Sequence, residues 1–69
     1  MDALQLEHNF TFHPPKLGQP EVYEKILQHA KILAIHLNDV CPDSREKSLA
    51  LTKLEEAVFW ANAAIARNE

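Results

Sequence analysis

The sequence predicts an all-α chain: an antiparallel two-helix hairpin with an N-terminal arm, assembling as a compact homo-oligomer. Three observations predict it. Apolar residues recur at helical spacing from Tyr23 to Leu37, the stretch from Ser44 to Arg67 holds neither Gly nor Pro, and the intervening "NDVCPDS" is rich in turn formers. A length of 69 residues allows one domain, residues 1–69. A chain that short buries only about 60% of its unfolded surface, so its core needs reinforcement. Cys41 is the single cysteine and cannot form an internal disulfide. His8, His13, His29 and His36 lack the Cys/His pairing of a structural zinc site. Association with copies of itself is the remaining route.

The arm takes in residues 1–19. Phe10 and Phe12 alternate in "FTFHPPKLGQ", and Pro14-Pro15 holds the backbone out of helix, so the stretch is expected to be extended. Its Phe and Leu residues give it apolar area to bury, unlike a disordered tail.

Helix one is expected over about residues 20–38. Pro20 is favoured at a first helical position, and Glu21 and Glu24 suit the positive end of the dipole. Tyr23, Ile26 or Leu27, Ala30, Leu33 or Ala34, and Leu37 make the core-facing stripe. Helix two follows over about residues 43–68, entered through "DSRE": Asp43 and Glu46 stand three apart as a capping box, with Ser44 the alternative cap. Its uninterrupted run of about 24 residues makes a rod of roughly 36 Å.

The first half of helix two is amphipathic, with Leu51, Leu54 and Val58 suited to face helix one. The second half, "AVFWANAAIAR", is apolar almost all round, and one partner helix covers only about a third to a half of a helix's circumference. Phe59 and Trp60, able to bury about 150–250 Å² each, therefore require further partners, and the alanines permit close backbone approach.

Composition narrows the function classes. A net charge of −3 argues against a general DNA or RNA binder, which carries a basic stripe, but leaves room for a small anion at a local group of cations. No apolar run approaches the ~20 residues of a membrane span, and "MDALQLEHNF" lacks the basic and apolar regions of a secretory signal, so a reducing cytoplasm is expected. A Gly-rich phosphate loop, a His-Glu-x-x-His pair and a nucleophile–base–orienter set are missing, so neither catalytic residues nor a cofactor or metal are expected. Cys41, beside Pro42, reads as a small buried hydrophobe. His29 and His36, seven apart on one helical face, read as surface or interface histidines, the alternative being a metal bridge between subunits.

In "FTFHPPK", Phe10 or Phe12 beside His13 and Lys16 combines a stacking surface with donors and positive charge, the chemistry that holds a nucleobase and its phosphate. The alternative is that each Phe anchors the arm on the hairpin. On helix two, Arg45 is either a solvated charge or an anion ligand. Arg67 is either a C-terminal dipole partner or an anion ligand. Asn62, set among apolar residues, must find a partner in another subunit, the backbone or a ligand.

The segment "SREKSLALTKLEEAVFWANAAIAR", with Arg45, Ala50, Thr52, Leu54, Phe59, Ala64, Ile65, Ala66 and Arg67, resembles the C-terminal helix of the small phage helical-hairpin proteins that counter CBASS and Thoeris defence. The arm and first helix match in outline. That resemblance implies a sponge, which sequesters cyclic oligonucleotide signals without cleaving them in compact hexamers with separate pockets for cyclic dinucleotides and, in several members, cyclic trinucleotides. It implies that Phe12 stacks on a base in a pocket shared by two subunits, and that Arg67 binds phosphates around a symmetry axis. Thr52 lies in the matching motif as a further candidate. The chain departs from the family at three points. Phe12-His13 replaces a Tyr and a basic residue. A helix-one basic residue falls near Leu27, leaving Lys25, His29 or Lys31 to substitute. A second basic residue near the end of helix two is Ala63.

The resulting expectation is a phage immune-evasion protein of the host cytoplasm, not an enzyme, whose partners are its own copies and cyclic dinucleotides such as cyclic GMP-AMP, with cyclic tri-adenylate a further candidate; no DNA or membrane partner is expected. The competing reading is a protein-binding inhibitor or structural adaptor that uses an exposed apolar helix.

Overall fold

The computed structural model describes residues 2–69. Three helices are present among them: α1 (Ala3–Asn9), α2 (Gln19–Val40) and α3 (Arg45–Asn68). The two long helices pack antiparallel, with Ile65 near the end of α3 beside Gln19 at the start of α2. No strand occurs among the described residues.

The beginning of the arm corrects the extended reading, because residues 3–9 are helical. Asp2 caps α1, its carboxylate accepting the Gln5 N–H at 2.8 Å. Gln5 also donates from its side chain to Asn9 Oδ1 at 2.8 Å. These local bonds support a seven-residue helix that is too short to stand on propensity alone. Only from Phe12 to Lys16, around Pro14-Pro15, does the chain leave helical structure for a sustained stretch.

The seam between α2 and α3 is one stripe wide. On α2 the half-buried residues are Tyr23, Ile26, Ala30, Ala34 and Leu37; on α3 they include Leu51, Leu54, Val58, Ala61, Asn62 and Ile65. Of the alternative seam positions, Ile26 and Ala34 turn inward, while Leu27 and Leu33 stay exposed. Helical spacing puts these residues on one face, and the rest of each helix points away from its partner.

The consequence is a slab. Its extents are 45 × 30 × 12 Å, the last being the width of a single helix with side chains. The radius of gyration is 15.3 Å, against about 11 Å for a compact domain of this length. No hydrophobic side chain is fully buried among the described residues, and Phe59 and Trp60 remain 68% and 64% exposed.

The inter-helix turn is held by side chains rather than by apolar packing. Ser44, not Asp43, is the N-cap of α3: its hydroxyl accepts the Lys47 N–H at 3.1 Å and donates to Pro42 O at 3.0 Å. Asp43 instead accepts from Lys47 Nζ at 2.8 Å, and the same ammonium donates to Asn38 O at 2.8 Å. Lys47 thus straps the end of α2 to the loop. Cys41 is half-buried at the C-cap of α2, donating its N–H to Leu37 O at 3.0 Å.

Two predictions concern this turn. Ser44→Ala is expected to cost about 1 kcal/mol of stability, the usual worth of a lost N-cap, read as a lower denaturation midpoint at fixed protein concentration. An unchanged midpoint would show that the cap contributes nothing. The hydrogen bond from Lys47, and then its charge, hold the Asp43 carboxyl below its ordinary pKa. The unfolded chain therefore binds the proton more readily, and the pair's small contribution is present above the unfolded carboxylate pKa and lost as pH falls through the lower folded value. Acidification below about pH 4 should lower the melting temperature more for the natural chain than for Asp43→Asn. Parallel pH profiles for the two proteins would contradict this.

Candidate functional site

The arm returns to the hairpin at the open end of the helices. After α1 ends at Asn9, with Phe10 its C-cap, Thr11 Oγ1 donates to Glu7 O at 2.6 Å, and the chain then runs through Pro14-Pro15 to Gly18. Gly18 adopts φ 85°, in the left-handed region where a side chain would be strained, and so turns the arm into α2.

Two side chains tie the arm to the last turns of α3. The Arg67 guanidinium donates from Nη2 to Asn9 O at 3.3 Å. The Gln19 amide accepts the Lys16 N–H at 2.8 Å and donates to Ile65 O at 3.5 Å. Gln19 is 5% exposed and is the one fully buried residue among those described.

Between these ties lies a cavity of about 320 Å³ lined by Phe12, His13, Pro15, Tyr23, Asn62, Ala63 and Ala66. Phe12 is 81% exposed, which leaves a ring face open at the rim. The His13 Nε2 lies 2.9 Å from His8 O; a carbonyl can only accept, so this nitrogen carries a proton. The two imidazoles are tilted at 58° with centroids 4.5 Å apart. Asn62 Oδ1 is enclosed and has no hydrogen-bond donor among the described residues. An acceptor left in that state costs about 1–3 kcal/mol until a donor arrives from elsewhere.

This arrangement suits a planar heterocycle. Phe12 offers a stacking face, Tyr23 a second aromatic group, and Asn62 and His13 polar side chains in the lining. Tyr23 was assigned to the helix seam by its spacing alone; it stands at the end of the seam, where the arm crosses, and lines the cavity as well. Gln19 had no sequence signal, since a polar residue in a first helical turn is ordinarily solvated.

The remaining expected site residues are dispersed within one chain. Lys16 is exposed next to the cavity, with its backbone N–H held by Gln19. Phe10 is exposed and lines none of this cavity. Arg67 borders a neighbouring hollow of about 200 Å³ with Trp60, Ala63, Ala64 and Asn68, and Ala63 is common to both. Lys25 is exposed two residues beyond Tyr23, about 200° around α2. Thr52 and Arg45 are exposed on α3, about 15 Å and 26 Å along its axis from Asn62. Neither reaches the cavity of its own chain. His29 and His36 are exposed on α2. Among the described residues, no group of three or more His, Cys, Asp or Glu is placed to hold a metal ion, and no helix is long and apolar enough to cross a membrane.

No curated protein and no solved structure matches the chain. The family model described as Acb2/Tad1, hairpin domain, matches residues 2–66, a span that takes in α1, the arm, α2 and nearly all of α3. The chain therefore belongs to the Acb2/Tad1 hairpin-domain family, the anti-CBASS and anti-Thoeris sponges.

Proposed function

We propose that this protein sequesters cyclic oligonucleotides, cyclic dinucleotides first, without cleaving them and so blocks CBASS-type signalling in the host cytoplasm. The observation that carries this reading is the cavity at the crossing of arm and helices, where an open Phe12 face, His13, Tyr23 and an unpartnered Asn62 oxygen meet. Family membership supports the same chemistry. The two phosphates of a cyclic dinucleotide need only two or so cations, Lys16 beside the cavity among them, so the net charge of −3 is no obstacle.

Size supports a shared pocket. A cavity of about 320 Å³ is at the lower end of ligand sites, room for a base rather than for a whole cyclic dinucleotide. A second copy of the chain would supply the missing wall, and it would cover the apolar groove of about 360 Å³ bordered by Leu27, Ala34, Leu51, Val58 and Phe59. We take the assembly to be a homo-oligomer, with a hexamer as the form implied by the family likeness. Thr52, Arg45 and Lys25 would then act across subunit boundaries, and Arg67 on phosphates of a second ligand such as cyclic tri-adenylate.

Calorimetry with a panel of cyclic di- and trinucleotides, followed by heating the complex to release the ligand, tests the reading. Binding with recovery of intact nucleotide is expected. Recovered fragments would mean an enzyme, and no binding by any nucleotide would leave the protein-binding adaptor. Phe12→Ala is expected to weaken dinucleotide binding by about 1–3 kcal/mol, the worth of one base stack, without altering the sedimentation of the protein. Unchanged affinity would reduce Phe12 to an anchor.

A further inference from the structure

We infer that Gln19 is a positioning residue for the nucleotide site: it fixes the arm that carries Phe12 and His13 by bonding Lys16 on one side and α3 on the other, an inference that rests on the binding reading above. Glutamine is seldom buried without cause, yet this one is 5% exposed while every large apolar side chain described keeps more of its surface. Both ends of its amide are used. Oε1 takes the Lys16 N–H at 2.8 Å, and Nε2 reaches the Ile65 carbonyl at 3.5 Å. That carbonyl already accepts the Glu69 N–H at 3.1 Å, so Gln19 occupies its second lone pair rather than rescuing an orphan. Closing α3 does not require the contact.

What the contact does is fix the arm. Arg67 holds Asn9 O at 3.3 Å, two residues along α3 from the carbonyl held by Gln19. Residues 10–15 are thereby strung between two points on the same end of α3. Pro14 and Pro15 have fixed φ, and His13 precedes a proline and meets His8 O at 2.9 Å, so most of the remaining freedom lies at Phe12. Holding the segment beforehand removes part of the ordering cost that a ligand would otherwise meet on binding. Arg67 is also placed against phosphate in the proposed function, so its substitution would mix two effects; Gln19 touches the arm and α3 without lining the cavity.

The test is calorimetry with cyclic GMP-AMP on the full chain. Gln19→Glu keeps the acceptor for Lys16 but loses the donor to Ile65, and Gln19→Met keeps the length and loses both. Binding is expected to weaken about fivefold for the first and about tenfold for the second, with helix content and sedimentation unchanged. In a Phe12→Ala background either substitution should weaken binding by a smaller factor than in the natural chain, because only His13 is left to place. Undiminished affinity in the single variants, or the same fold-loss in the Phe12→Ala background, would overturn the inference while leaving the binding reading intact. No binding by the natural chain would overturn both. A measurement on the natural chain does not depend on either variant folding: the Lys16 amide should exchange with solvent more slowly than that of Leu17, and exchange at the rate of a free peptide would refute the clamp.

Discussion

Two helices in contact can cover only one stripe of each other, and everything else about this chain follows from that limit. The seam from Tyr23 to Leu37 against Leu51 to Ile65 is complete, yet it leaves Leu27, Ile32, Phe59 and Trp60 largely in water. A third helix in the same chain would ordinarily supply the cover. Here α1 is seven residues long and lies at the end of the hairpin, where it cannot shield the middle. A slab one helix thick has no interior, so its apolar surface stays in water unless a partner covers it, as the proposed homo-oligomer would.

The same limit explains where the candidate site lies. A hollow needs walls on several sides, and among the described residues three segments converge at the end where the arm crosses α2 and α3. The walls there are contributed by residues far apart in sequence, Phe12, Tyr23 and Asn62, and held by long-range polar bonds from Gln19 and Arg67. The opposite end, at the turn, has only Ser44 and the Lys47 strap, and it gathers no comparable group of aromatic and polar side chains. The contacts are thus divided along the length of the hairpin: local capping at one end, tertiary polar contacts and the candidate site at the other.

How much of this was legible in the sequence depended on whether a feature was periodic. The seam was legible because burial on a helix repeats, and even the choice between Ile26 and Leu27 was confined to neighbours. The cap at Ser44 lay within one residue of the alternative at Asp43, since both side chains can accept from a backbone N–H. The helix at residues 3–9 was obscured by Phe10, Phe12 and the prolines after it; Asp2 three residues before Gln5 was the capping-box signal that marked it. Tyr23 looked like one more seam residue, because its second role exists only where the arm crosses. The ties made by Gln19 and Arg67 join residues 46 and 58 positions apart and leave no trace in local pattern. Family likeness contributed the ligand class, which periodicity could not.

A binding protein that works by stoichiometry gains from a small subunit, because each copy adds sites without adding a separate core. In the proposed assembly, a second copy that covers the exposed aromatic residues of α3 would also close the incomplete cavity. Asn62 sits where the two requirements meet, with an oxygen that the chain by itself leaves without a donor. The most direct measurement is analytical ultracentrifugation of the ligand-free protein at micromolar concentration. The account predicts a discrete species several times the 7.9 kDa subunit mass. A stable monomer would contradict it, because the exposed faces of α2 and α3 would then need no partner and the cavity would have no second wall.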